Sequence, residues 1–308
     1  MGASIEESFE GAGCTGALLV RRLSDDAEVG VRSDDVWLAA SVIKVPIALE
    51  FFVQAEQGQL DPTLRVTLQP GMSTPGPSGI SLAQDAVTIS LRDLVLLMLS
   101  ISDNAATDAV LAAVSAEAVN RRLRDLGCQS TVLVDSIQAS VDTLAVDLGF
   151  PAYATLLRAQ AGELGADARA ASVDQGRISS SRVLDARRAS RTTARDMVQL
   201  LRAVWRDEVG APAACAELRR VMATQVSRRL AVAVPDGGSL AAKTGALFGR
   251  VRNEVAVIGM PDGEHYAVAV LTRPHQPFVR VSEIDLAMGQ AVKAAINELA
   301  TGSRAGTS

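Results

Sequence analysis

The segment LAASVIKVPIALEFF, residues 38–52, decides how the chain is read. Within a run of apolar residues it places one serine, Ser41, and one lysine, Lys44, three positions apart. The run is too long for a strand, and Gly58 suits the left-handed position that ends a helix. Pro46 fits only in a first turn, so the helix is expected to begin close to Ser41. At a helix start, residues i and i+3 share a face, which makes Ser41 Oγ and Lys44 Nζ neighbours. A serine hydroxyl is a weak nucleophile and needs a base beside it. A lysine serves as that base only if burial or another cation lowers its pKa, and the apolar surroundings of Lys44 supply burial. The same residues also describe a capping serine followed by a snorkelling lysine.

The composition narrows the function classes. The 308 residues are ample for a buried core, and 48% hydrophobic with 21% charged residues is a globular balance. A net charge of −5 without a basic block argues against nucleic acid as a partner. Aromatic residues at 3% leave little for a base-stacking surface. Lysine is nearly absent beside arginine, which singles out each lysine. Cys14, Cys128 and Cys215 are far apart and odd in number, so three buried thiols are expected rather than disulfides or zinc, and no cofactor is expected. The opening MGASIEESFEGAG lacks the basic start and apolar run of a signal peptide. No window of about 18 apolar residues spans a membrane, and a cytoplasmic location is expected.

Along the chain, GALLVRRL at 16–23 reads as a strand and VRSDDVWLAA leads towards a second. The Pro-, Gly- and Ser-rich stretch 61–88 reads as loop with a short strand at best. Residues 90–101, 104–114 and 115–126 read as helices, the last closed by Gly127, and 192–208 as another opened by Thr192 and Thr193. The Ala- and Arg-rich segment 135–190 shows no strand pattern and is expected to form helices or a lid. From AVAVPDGGSLAAKTGA to RVRNEVAVIGMPDGEHYAVAVLTR, strands broken by two Pro-Asp-Gly turns are expected, then a helix over 281–299. Strands at both ends with helices between them predict an α+β fold, with one sheet built from both termini and a helical lobe against it.

Two further clusters matter. Ser102, Asp103 and Asn104 lie at a junction between apolar helices, where an ordinary N-cap is the plain reading. Lys243, Thr244 and Gly245 lie in an apolar strand, where Lys243 reads plainly as an edge lysine. Taken in order, S-x-x-K, S-D-N and K-T-G form the signature of class A β-lactamases and penicillin-binding proteins. Over roughly residues 15–300 the chain therefore resembles that serine hydrolase family. The resemblance implies a β-lactamase/transpeptidase-like fold in two lobes of a single domain. One is an α/β lobe of about 13–45 and 215–300; the other is a helical lobe of about 46–214 carrying an atypical lid, 135–190. It implies that Ser41 is acylated, that Lys44 is its base or relay, and that Ser102 passes a proton to the leaving group. Asn104 would hold the substrate amide, and Lys243 and Thr244 its carboxylate. The strand through Gly245 would bring the N–H of Ala246 to join that of Ser41 in an oxyanion hole. Arg252 matches a place where some members keep an arginine for the carboxylate, and otherwise reads as a surface strand residue. Lys243 is also expected to lower Lys44 by like-charge repulsion. His265 and His275 lie far from these motifs, which disfavours a histidine triad.

The stretch from Ser102 to Thr192 is roughly 40 residues longer than the class A pattern, and the E-x-x-L-N motif, whose glutamate activates the deacylating water, is missing. Glu163 is the one weak substitute, with an exposed surface residue as its plain reading. Acylation survives such a loss; hydrolysis of a β-lactam acyl-enzyme slows. The small-molecule acyl substrate thus fits three readings. They are a hydrolase of a β-lactam or another ester or amide, a transacylase, and a non-turnover penicillin-binding sensor or D,D-peptidase.

Overall fold

The computed structural model describes residues 2–302. Helix α1 (Gly2–Ala12) buries Ile5, Phe9 and Ala12, one stripe at helical spacing. Strands β1 (Cys14–Arg22), β2 (Glu28–Val31) and β3 (Trp37–Leu38) follow. A 3₁₀ turn over Ala40–Ile43 runs into α2 (Lys44–Glu56). Strands β4 (Arg65–Leu68) and β5 (Val87–Ser90) pair as a short antiparallel ribbon around the Pro- and Gly-rich loop. Helices α3 (Leu91–Ser100), α4 (Asn104–Val114) and α5 (Ala116–Asp125) come next, then α6 (Ile137–Asp147), α7 (Tyr153–Gln160), α8 (Ala166–Ser172) and α9 (Gln175–Ser180). After β6 (Arg191–Thr192) stand α10 (Ala194–Trp205) and α11 (Pro212–Met222). Strands β7 (Ser239–Leu247), β8 (Val251–Gly259) and β9 (His265–Pro274) lead to the final helix, α12 (Val281–Gly302).

The main sheet is antiparallel throughout, in the order β2-β1-β9-β8-β7, so it joins the two ends of the chain. Strand parity divides its side chains. Ala17, Leu19, Val255, Val257, Ala267 and Ala269 face the helical core. Their alternate neighbours Leu18, Val20, Ala256, Ile258, Val268 and Val270 pack with α1 and α12. With both faces covered, these strands read as continuous apolar runs. On the helical side α2 is the centre: every residue from Lys44 to Val53 is buried. A helix buried all round needs partners for its polar groups. Glu50 has them in Arg122 Nε at 2.9 Å and Gln54 Nε2 at 2.8 Å.

Three expectations are revised. AVAV at 231–234 is not a strand; a 3₁₀ turn covers Arg229–Ala233. The Glu254 carboxylate accepts from Leu230 N at 3.0 Å, and Leu230 and Ala233 bury against α12, so the segment serves as a plug beneath the sheet. The 210–225 stretch holds a helix that the sequence reading passed over, although Pro212 at its first turn and Ala214, Cys215, Leu218, Val221 and Met222 give helical periodicity. The helix after Leu38 begins at Lys44 rather than at Ser41.

Residues 135–190 form a helical excursion whose two ends meet. Val132 N and Arg191 N each donate to the other's carbonyl, at 3.0 and 3.1 Å, and Val134 N donates to Ser190 Oγ at 3.0 Å. The exit strand β6 pairs with β3, directly before the nucleophile turn. The entry is held by Asp108 on α4, whose carboxylate accepts from Ile137 N and Gln138 N, both at 2.8 Å, and from Thr74 Oγ1 at 2.6 Å. A carboxylate on free N–H groups at a helix start is favourable for both hydrogen bonding and dipole. Asp108→Ala should therefore cost about 1–3 kcal/mol of stability in urea unfolding. It should also raise amide hydrogen exchange at Ile137 and Gln138 well above that of α2. Unchanged protection at those two amides would show that Asp108 does not hold the excursion.

Candidate active site

Lys44 N–H donates to Ser41 O, an i to i+3 bond within the 3₁₀ turn. In a 3₁₀ turn residues i and i+3 eclipse, so Ser41 and Lys44 share one side even though the α-helix starts only at Lys44. Ser41 lines a cavity of about 610 Å³, together with Asn104 and Ala246. Lys44 is fully buried beneath it.

Lys44 Nζ reaches Ser102 O at 2.7 Å, Asn104 Oδ1 at 3.0 Å and Ser102 Oγ at 3.2 Å, rather than Ser41 Oγ. Burial pulls Lys44 from its ordinary 10.5 down to about 7, against the opposing pull of the Asp103 and Asp108 carboxylates. A neutral amine has two N–H donors and one lone pair. Ser102 O and Asn104 Oδ1 only accept, so they take the donors, and the lone pair is left to the Ser102 hydroxyl. The orientation of Asn104 is fixed by its Nδ2, which donates to Pro75 O at 3.0 Å. The S-D-N cluster thus encloses the Lys44 amine. Asp103 itself makes no contact with the cavity: it caps α4 through Ala106 N and holds the 79–82 turn through Ile80 N and Ser81 Oγ.

Lys243 is fully buried, with Nζ on Thr244 O at 2.9 Å and Gln225 Oε1 at 3.2 Å. Burial, then Lys44 and Arg229, push its pKa well below the ordinary lysine range. Lys44 is among the charges that act on Lys243, whereas Lys243 is not among the groups that shift Lys44. The expected influence runs in the opposite direction, and burial alone accounts for the low pKa of Lys44. Thr244 is buried and is not among the cavity's lining residues. Gly245 packs tightly: a Cβ there would stand 3.2 Å from Ala39 O, Ser41 N and Val42 N, which would have to give way by a few tenths of an ångström. This close approach sets β7, and with it Ala246, against the nucleophile turn.

Arg252 and Glu163 are not brought to the cavity. Arg252 lies on the sheet face towards α12, where its guanidinium pairs with Asp285. Glu163 is exposed on the outside of the helical excursion, paired with Arg158 at 2.9 Å. The two histidines and the three free, buried cysteines also lie outside the lining.

Residues that carry no motif do much of the positioning. Asn253 is fully buried; its Nδ2 donates to Leu38 O at 2.9 Å and Ala39 O at 3.2 Å, and its Oδ1 accepts from Thr272 N. It ties the residues ahead of Ser41 to the sheet. Gln225 links the Ser100 carbonyl, at 3.1 Å, to Lys243. Arg229 Nη1 donates to Gly245 O at 3.0 Å and to Asn253 O. Ala40, Ser102 and Phe248 adopt left-handed backbone, φ 46, 62 and 46°. Each such residue costs about 1–3 kcal/mol, and all three border Ser41, Lys44 or the cavity.

Comparison with known proteins agrees with this geometry. The sequence profile of the beta-lactamase enzyme family matches residues 2–299. The beta-lactamase regulatory protein BlaB of Streptomyces cacaoi is 32% identical over 290 residues, covering 89% of each chain. Among solved structures, a beta-lactamase from Sphaerobacter thermophilus superposes with a TM-score of 0.75 at 22% identity, covering 97% of both chains. PBP-A does so with a TM-score of 0.71 at 20% identity and 96% coverage of both. With Ser41, Lys44, Ser102, Asn104 and Lys243 assembled on this fold, the chain belongs to the beta-lactamase enzyme family.

Proposed function

We propose that this protein is a serine hydrolase that forms an acyl-enzyme on Ser41 with an ester or amide substrate. The observation that carries the reading is the fully buried Lys44, with its pKa near 7, one 3₁₀ turn from a serine that opens onto a cavity. As Ser41 Oγ attacks the acyl carbon, Lys44 takes its proton. Ser102, whose hydroxyl already touches Lys44 Nζ, returns that proton to the leaving group. The N–H groups of Ser41 and Ala246 receive the oxyanion. A second reading is acylation by penicillin without turnover. Two observations favour it: among the described residues no glutamate or histidine lines the cavity, Asp135 being its one carboxylate, and the 32%-identical relative is called a regulatory protein. Intact mass after incubation with excess benzylpenicillin separates the two. A lasting one-equivalent adduct supports the second; consumption of the drug with free enzyme at the end supports the first.

Ser41→Ala should abolish covalent labelling by a small fluorophosphonate while the protein stays folded, and full labelling of the mutant would remove the assignment. Lys44→Arg keeps a charge that does not dissociate at working pH, so acylation should fall by roughly 10²–10⁴-fold. Below pH 7 Lys44 is protonated and unable to accept a proton. The acylation rate of the wild type should therefore rise with pH through about 7 and level off above it. A rate that is flat from pH 5.5 to 9 would show that another group is the base.

A further inference from the structure

One charged residue lines the cavity at Ser41, the acid Asp135 at the entry to the helical excursion. The backbone is fixed on both sides of it. Leu133 N donates to Asn120 Oδ1 at 2.9 Å and Val134 N to Ser190 Oγ at 3.0 Å; beyond it, Ile137 N and Gln138 N donate to Asp108. The neighbouring carboxylates hold the fold together: Asp108 as above, Asp142 on Tyr153 N, Asp147 on Arg182. Among the described residues no hydrogen bond or ion pair engages the carboxylate of Asp135, and the excursion's Arg158 and Arg187 are bound to Glu163 and Asp185 instead. The hydroxyls on the same wall turn their protons away from the cavity. Ser81 Oγ donates to Asp103 Oδ1 at 3.1 Å, Thr107 Oγ1 to Asp103 O at 2.6 Å, and Ser140 Oγ to Ser136 O at 3.0 Å. Each has only lone pairs left to offer. A fixed carboxylate beside hydroxyl oxygens is a wall of acceptors, and a protonated amine, with three donors and no acceptor, is its complement.

The geometry points to an acyl donor whose acyl chain carries a protonated amine as the substrate class, with Asp135 as the residue that selects it. This rests on the acyl-enzyme reading above and specifies its acyl group. Nothing in it touches the β7–β8 end of the site, where the family resemblance places the substrate's carboxylate. Ser41 Oγ bonds to the acyl carbon and the bond to the leaving group breaks. The Ser41 proton passes through Lys44 and Ser102 to the leaving group. The substrate amine keeps its proton throughout and serves only in binding. Asp135 is thus a specificity residue, held in place by the clamps at Val134 and Ile137, and takes no part in proton transfer.

The test compares nitrophenolate release from the p-nitrophenyl esters of 3-aminopropanoic, 6-aminohexanoic and 8-aminooctanoic acids with release from their N-acetyl counterparts. It is read as the acylation rate constant over the apparent dissociation constant, so that turnover is not required. At about pH 8 Lys44 is neutral while the amine of each probe is charged. In at least one pair the amine should exceed the acetamide by about fivefold in wild-type protein, the factor that an ion pair of about 1 kcal/mol supplies. Asp135 is exposed, so its substitution leaves the core intact. Asp135→Asn should bring that ratio to about one while the acetamide esters stay within about twofold. Asp135→Lys should reverse the order, and high salt should shrink the preference in wild-type protein alone. Three results overturn the recognition and leave the acyl-enzyme reading standing: no preference in any pair, a preference that survives in Asp135→Asn, or a Ser41 that takes the small fluorophosphonate but none of the esters. No Ser41-dependent labelling by the esters or by the fluorophosphonate overturns both.

Discussion

The amine of Lys44 has to be kept out of water, and much of the structure around the nucleophile follows from that. A lysine that stays charged in an apolar helix is prohibitively costly, so the group gives up its proton instead. The fall from 10.5 to about 7 corresponds to about 5 kcal/mol against folding. That cost grows as pH falls from 10.5 to about 7 and is constant below. The helix that carries the lysine is buried along ten consecutive residues. The amine is met by a carbonyl, an amide oxygen and a hydroxyl in fixed positions. Ser102 holds a left-handed backbone beside it, and Asp103 locks the turn that closes over it. The site is therefore a place where stability is given up to hold an amine whose pKa lies near neutral pH.

The parts of this architecture legible in the sequence are those whose chemistry is fixed at short range. Ser41 and Lys44 are one turn apart, Ser102 to Asn104 are contiguous, and Lys243 to Gly245 are contiguous, so their residue types and order carry information. The antiparallel sheet built from both chain ends also followed from local patterns, because β7, β8 and β9 are consecutive. What remained hidden acts across the fold. Asn253 reaches Leu38, 215 positions away, and Gln225 reaches Ser100, 125 away. Nothing local marks either residue. Arg252 illustrates a different limit. Its distance from Lys243 said nothing about which face of β8 it occupies, and a shift of one residue in a strand exchanges the faces. Helices α1 and α11 each carry an apolar stripe, but in α1 it is interrupted by acidic residues and α11 is a short segment ahead of the strands.

The reversal of the two lysines has a simple cause. Both are buried, but their surroundings differ. Lys243 faces Arg229 and Lys44 with Glu254 alone opposing them, whereas Lys44 has Asp103 and Asp108 in its field. Lys243 is held as a hydrogen-bonding strut between β7 and Gln225.

The excursion between Val132 and Arg191 has a small apolar core of its own, in which Leu144, Leu148, Phe150 and Leu156 pack with Val183. Its inner side, with Ile137, Val141, Tyr153, Leu157 and Val183, reaches the cavity. Because its ends are clasped to each other, the segment joins the rest of the fold at one place, like a cassette. Substitutions inside that core change its shape without disturbing the burial of Lys44, and the catalytic turn tolerates a new roof without being rebuilt. In evolutionary terms, the roof of the cavity and the burial of Lys44 lie on separately mutable parts of one chain.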